Sequence, residues 1–380
     1  MALPDGSAPG IYIHIPFCLK KCSYCDFLSF PAGPGSGELF RSYTDALIHE
    51  MDERCGLLPA PADTIYVGGG TPTVLPLESL SRILEKSFAF ATPCCEVTIE
   101  ANPATISRDA LAALRALGAN RLSVGMQSIF DDKLKILGRA HTFGQFLESY
   151  EDALAAGFDN ISLDLMYALP GQTLQEWEES IRLAASLSPR HISAYSLSIE
   201  EGTRFWDLAE AGLLQKADED ADLEMSHMAA ALLGELGYEQ YEISNYAQPG
   251  FWSRHNSKYW KRIPTLGLGL GAHSFAGGKR WSNTRDMKEY IDRDFGMRGL
   301  EDLSRWDEIQ ETVFLGLRLN EGISLQDFLD RFGESFESVF KGPLEKMEKL
   351  GAVSRAGGRL RLAPRGRDVL NAVMAEFLCQ

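Results

Sequence analysis

The sequence predicts an α/β fold: a partial (β/α)6 barrel followed by a small C-terminal α+β domain of winged-helix type. Three observations carry this. Over the first two-thirds of the 380 residues, short β-branched runs alternate with amphipathic helical patterns. The residues capable of chemistry fall at or just after the ends of those runs. From about residue 300 the texture changes to helices and one hairpin.

Taken in order, the expected strands are Ile11–Ile15, Thr64–Val67, Val97–Glu100, Leu122–Val124, Ile161–Leu165 and His191–Tyr195. Helices fall between them. Ser107 caps one that carries Leu111, Leu114 and Leu117 on one face and stops at Gly118. Thr142 caps a second, with Phe146, Tyr150, Ala153 and Leu154 as its stripe and Gly157 as its stop. Thr173 and Glu176 have capping-box spacing ahead of Trp177, Ile181 and Ala184. Strands alternating with helices imply parallel pairing with right-handed crossovers, and a ligand at the strands' C-terminal ends. This unit is expected over residues 1–298.

The second unit is expected over residues 299–380. A helix around Asp307–Leu319 precedes apolar helical patterns on Leu325, Phe328, Leu329 and Phe332, then on Phe340, Leu344, Met347 and Leu350. Ala352–Arg355, a Gly357-Gly358 turn and Arg359–Leu362 read as a hairpin, and a last helix starts after Pro364. Arg355, Arg359 and Arg361 lie on or near this wing, which raises DNA contact as a reading. The net charge of −16 and the lack of a basic recognition helix oppose it, so no nucleic-acid partner is expected.

Hydrophobic residues make up 45% and charged residues 24%, as in ordinary globular proteins. No stretch approaches the about 18 apolar residues of a membrane span. Met1–Gly10 lacks the basic and apolar regions of a secretory signal, so a cytoplasmic protein is expected.

Seven cysteines form no disulfide framework, because three crowd together as Cys18, Cys22 and Cys25. Cys55, Cys94, Cys95 and Cys379 lack such spacing and are expected to be structural. Pro16 ends the first strand, so the three cysteines are expected on a loop. Three thiolates at C-x3-C-x2-C can hold three irons of a cubane, and a fully protein-bound [4Fe-4S] cluster takes four. One iron is then left open for a ligand. The competing reading is a structural zinc site with His14 as fourth ligand, although no second cysteine knuckle exists.

The spacing is similar to that of the radical S-adenosylmethionine (SAM) superfamily. The segment Tyr12–Phe27 resembles the oxygen-independent coproporphyrinogen oxidases and the related HemW-type heme chaperones. Gly68-Gly69-Gly70-Thr71-Pro72-Thr73 matches their glycine motif after the second strand. The resemblance implies a [4Fe-4S] cluster on Cys18, Cys22 and Cys25. It implies SAM held by Tyr12, Tyr24, Gly69, Gly70, Thr71, Glu100, Gln127, Arg139 and Asp164. For each polar residue the plainer reading is an internal hydrogen-bond network.

Two features lean toward the chaperone branch. The oxidases carry one more cysteine two positions after the third, where Phe27 stands here. His255-Asn256-Ser257-Lys258-Tyr259-Trp260 matches an H-N-x-x-Y-W motif of the chaperones, and Gly267–Ser274 follows as it does there. This makes His255 the first candidate heme ligand and His273 the second. The resemblance further implies heme, recipient apo-hemoproteins, a low-potential electron donor, peripheral membrane contact and a homodimer. The alternative it leaves open is the oxidase itself, an oxidoreductase that decarboxylates coproporphyrinogen III propionates.

Overall fold

The computed structural model describes residues 7–378 apart from Pro34, Ala104 and Ile106. Cys379 lies outside the described residues.

Six parallel strands lie side by side in chain order: β1 (Gly10–Ile15), β2 (Ala62–Gly69), β3 (Ala91–Ala101), β4 (Arg121–Gln127), β5 (Ile161–Tyr167) and β6 (His191–Ser196). Period-two alternation sets their two faces. On β1, Ile11, Ile13 and Ile15 point into the core between sheet and helices, and all three are buried. On β4, Leu122, Val124 and Met126 do the same, which turns Arg121, Ser123, Gly125 and Gln127 toward the barrel lumen. Each fully buried aliphatic side chain contributes about 1.5–3 kcal/mol of transfer energy. The outer faces therefore hold the barrel, and the lumen is left free for polar residues.

The sheet runs further than six strands. Beyond β6 come two short antiparallel strands, β7 (Glu239–Gln240) and β8 (Asn245–Ala247), with β8 next to β6. Beyond β1, β9 (Thr265–Leu268) adds in parallel, followed by antiparallel β10 (His273–Ala276), β11 (Lys279–Ser282) and β12 (Arg298–Asp302). The whole is a 12-stranded sheet. The boundary expected after residue 298 falls inside β12, and the second core takes its first residue from Ile309.

A buried carboxyl pins β9 to the barrel. Glu50, on the helix Gly37–Arg54, accepts from the Gly269 N–H (2.8 Å), the Tyr290 hydroxyl (2.6 Å) and Asn283 Nδ2 (2.6 Å). Arg54 donates to it at 3.3 Å and to the Gly296 carbonyl at 2.6 Å.

The C-terminal unit packs Ile309, Val313, Phe328, Phe336, Phe340 and Phe377 into a core of its own. Its sheet has three strands, because Ile323–Ser324 joins the expected hairpin along Arg359–Leu362. The last helix is broken into Pro364–Asp368 and Leu370–Leu378. The wing arginines are engaged within the unit. Arg355 pairs with Glu348 at 2.6 Å, and Arg359 and Arg361 donate to the Glu321 carbonyl at 2.7 and 3.2 Å. Of the remaining cysteines, Cys55 and Cys95 are buried as expected, but Cys94 is exposed.

Candidate cofactor site in the barrel mouth

The cysteine loop is tied at its base. Phe17–Cys18 pairs in parallel with Phe30–Pro31, a two-residue clasp that puts Cys18 in a strand rather than on the expected loop. The Phe30 N–H donates to the Pro16 carbonyl at 2.8 Å and the Ala32 N–H to the Cys18 carbonyl at 2.7 Å. Between these ends, Leu19 and Phe27 stand out into solvent, 51% and 61% exposed. Cys18 is buried, and Cys22 and Cys25 are half-buried. The Thr71 hydroxyl donates to Cys18 Sγ and Arg139 to Cys22 Sγ, both at 3.6 Å. Burial pushes the Cys25 thiol up to about 11 and raises that of Cys18, so thiolates here need cationic or hydrogen-bonding support.

The donor set suits a cluster better than a single ion. Among the described residues, no three His, Cys, Asp or Glu side chains are placed to share one metal ion. A cubane instead spreads its cysteines over separate irons. His14 is also committed elsewhere. Its Nε2 donates to the Leu28 carbonyl at 2.8 Å, and its Nδ1 lies 3.0 Å from the Tyr12 hydroxyl.

Next to the loop lies the glycine ledge at the end of β2. Gly69 has φ +109°, and a Cβ there would come within 2.3 Å of the His14 ring. A Cβ on Gly70 would lie 2.6 Å from the Phe17 carbonyl oxygen. Side chains are excluded at both positions, and the bare backbone faces the mouth. The Gly69 N–H donates to Glu100 Oε2 at 3.0 Å, and the Tyr66 hydroxyl to Oε1 at 2.7 Å. Burial pushes the Glu100 carboxyl up to about 7.

The far wall is polar. Arg139 donates to the Gly125 carbonyl at 3.0 Å and to Asn102, whose amide in turn donates to the Thr71 hydroxyl at 2.6 Å. Ser123 donates to Asp164 at 3.2 Å, and burial raises the Asp164 carboxyl. Gln127 sits at φ +61° beside a register shift in the β4–β5 ladder. A non-glycine residue in that region costs on the order of 1–3 kcal/mol, and such strain collects at functional sites. Tyr24 packs against the small apolar cluster that includes Leu137, Met166 and Phe205, with Arg139 beside it.

A cavity of about 490 Å³ gathers these groups. Cys18, Cys22, Cys25, Tyr24, Gly69, Gly70, Thr71, Glu100, Gln127, Arg139 and Asp164 all line it. Tyr12 and His255 do not. Tyr12 lies in β1 and buttresses His14 instead. His255 is only 1% exposed, with Nδ1 2.8 Å from the Thr64 hydroxyl and Nε2 3.0 Å from that of Tyr259. Both ring nitrogens are thus engaged by hydroxyl groups within the fold. His273 is exposed at the start of β10, and its ring makes no hydrogen bond among the described residues. Asn102, Arg121, Ser123 and Asn256 also line the cavity, and sequence reasoning had missed them. For β4 the signal was present, since Arg121, Ser123, Gly125 and Gln127 alternate with apolar neighbours.

Residues 12–184 match the Radical SAM superfamily, and residues 303–369 match the HemN C-terminal domain. Heme chaperone HemW of Bacillus subtilis (strain 168) is 36% identical over 97% of this chain and 98% of its own. The chain belongs to the HemW family. Heme chaperone HemW of Escherichia coli (strain K12) is 31% identical over 97% of this chain and 98% of its own. A bovine relative, Radical S-adenosyl methionine domain-containing protein 1, mitochondrial, is 32% identical over 99% and 89%. The solved coproporphyrinogen III oxidase HemN from Escherichia coli, a radical SAM enzyme, superposes with a TM-score of 0.83. At 24% identity, covering 98% of this chain and 90% of that one, it shows the fold alone. As a HemW-family member the chain takes a [4Fe-4S] cluster and SAM. The thiols beside the glycine ledge supply the donors that this pair requires. Among the described residues, no helix is long and apolar enough to cross a membrane.

Proposed function

We propose that this chain is a heme chaperone that binds heme and passes it to recipient apo-hemoproteins. The observation that carries the reading is the 36% identity, nearly end to end, to a relative named for that role. Phe27, standing where the resembled oxidases have a further cysteine, adds support from the chain itself.

In this reading Cys18, Cys22 and Cys25 hold the cluster, which when bound supplies a low-potential electron. The backbone at Gly69, Gly70 and Thr71 meets the methionyl end of SAM. Glu100, once ionised, pairs with its ammonium group. Arg139 supports the Cys22 thiolate, Gln127 and Asp164 complete the wall, and Tyr24 flanks the adenine. Tyr12 acts at one remove, by holding His14 against the returning loop. His273 takes the heme iron. Burial and the nearby Arg285 and Arg280 hold its pKa below the ordinary value, which keeps the imidazole neutral and able to ligate. The protein works in the cytoplasm as a homodimer, with a low-potential electron donor and peripheral contact with the membrane. The C-terminal unit is a contact surface for recipients.

The test is anaerobic. The reconstituted protein is mixed with SAM, reductant and coproporphyrinogen III, and the propionate carboxylates are followed by mass spectrometry. The expected result is no loss. Turnover overturns the chaperone reading in favour of the oxidase. In a parallel heme titration, His273→Ala weakens binding about tenfold or more, whereas His255→Ala leaves the affinity near that of wild type.

A further inference from the structure

At the floor of the barrel, Arg121 is 2% exposed and lines the cavity. Among the described residues its guanidinium makes no hydrogen bond and no ion pair, and its Nε is sealed from solvent. A buried charge left in that state costs several kcal/mol unless something pairs with it. Its neighbour across the β3–β4 ladder, Thr98, also has a buried hydroxyl with no hydrogen-bond partner among the described residues. Arg121 shares a rung with Thr98 and Tyr66, three residues below Gly69, roughly 10 Å at the rise of a strand. Two unsatisfied groups thus lie side by side beneath the mouth.

The cofactor site meets the Arg121 charge only in part, through the field of the Glu100 and Asp164 carboxyls, whose rise on burial Arg121 opposes. Glu100 and Asp164 face the same space, yet neither closes an ion pair with Arg121 among the described residues. Burial holds both carboxyls toward their protonated forms, which reduces the repulsion that an incoming anion meets. His191, also on the cavity wall, is satisfied by Ser162 and Tyr241, each at 2.8 Å.

The geometry points to a carboxylate pocket at the barrel floor, in which Arg121 receives the acid group of a ligand that enters through the mouth. A guanidinium presents a planar fork of donors that matches a carboxylate in two-point contact. The pocket is independent of the cluster and lies below the residues assigned to SAM. Two sources carry this chemistry: a small free carboxylic acid, or a propionate arm of a tetrapyrrole. The second source rests on the heme reading.

The test uses the cluster-reconstituted full chain, with Arg121→Met, and Arg121→Lys to retain the charge. Cluster absorbance and far-UV circular dichroism establish that each variant is folded. In the first arm, sodium propionate and uncharged propionamide are titrated by calorimetry. Wild type is expected to bind propionate and not propionamide, Arg121→Met to bind about tenfold more weakly or worse, and Arg121→Lys to fall between. In the second arm, protoporphyrin IX is compared with its dimethyl ester. A preference of wild type for the free diacid that vanishes in Arg121→Met identifies a propionate arm as the occupant. A response to propionate alone identifies a small acid. If Arg121→Met matches wild type in both arms, the pocket holds only water and the proposal is overturned. If porphyrins fail to bind at all, the heme reading fails, and the propionate arm still decides the pocket.

Discussion

Glu50 and Arg121 are both buried charged residues of the barrel, and they are treated in opposite ways. Glu50, fully buried, is met by a backbone amide, a phenol, an amide side chain and Arg54. Every direction is filled by the chain itself. Arg121 is nearly as buried, and among the described residues no group hydrogen-bonds its guanidinium or closes an ion pair with it, Glu100 and Asp164 acting on it only through their field. The difference separates architecture from function. A polar group that the fold completes is there to fix geometry, and here it joins β9 to the helix Gly37–Arg54. A polar group that the fold leaves incomplete, where it lines a cavity, can take its partner from outside.

Substitutions can break or sharpen this contrast. The largest effect is expected at Glu50. Glu50→Ala strands Arg54, Asn283, Tyr290 and the Gly269 amide in the core, and should cost about 3–5 kcal/mol in urea unfolding. A loss below about 1 kcal/mol would dissolve the distinction. Next comes Glu100, whose carboxyl titrates at about 7 in the fold against 4.5 ordinarily. The folded state holds this proton more tightly than the unfolded chain does. Stability from this group is therefore full below pH 4.5 and is lost as the pH rises through 7. Relative to Glu100→Gln, the cofactor-free wild type should lose on the order of 2 kcal/mol across that window. SAM binding should strengthen over the same rise, as the carboxylate forms, and Glu100→Gln should flatten that dependence.

Arg121→Met should be opposite in sign to Glu50→Ala. Replacing an unpaired buried charge by an apolar side chain of similar length is expected to leave the ligand-free protein unchanged, or to raise its stability by about 1 kcal/mol. A marked loss would mean that Arg121 has a structural partner after all. The smallest effect is expected at Thr98. Thr98→Val removes a hydroxyl that has no hydrogen-bond partner among the described residues and should stabilise by about 0.5 kcal/mol, measurable as a shift of the urea midpoint.

Much of the molecule could be read before any coordinates. The six parallel strands announced themselves because each outer face is an unbroken apolar stripe, such as Ile11, Ile13 and Ile15. The mouth residues were legible because motif order places Cys18, Gly69 and Glu100 at successive strand ends. Strands β7–β12 escaped notice, since segments of two to five residues carry too few alternations to register. The surroundings of His255 were illegible for a different reason. A histidine in a motif shows its ring, but not that Thr64, 191 residues away, and Tyr259 take up its two nitrogens. Arg121 was passed over because one charge beside an apolar run looks like a strand boundary. Only the closed lumen reveals that, among the described residues, no group bonds its guanidinium.

The clasp between Phe17–Cys18 and Phe30–Pro31 bears on the order of assembly. Its two backbone hydrogen bonds, at 2.8 and 2.7 Å, close the cysteine loop without any iron. The chain-entropy cost of bringing the ends of that loop together is met as the barrel folds. The base of the cysteine loop is thus set by main-chain bonds, so its width does not depend on the side chains between Leu19 and Ser29.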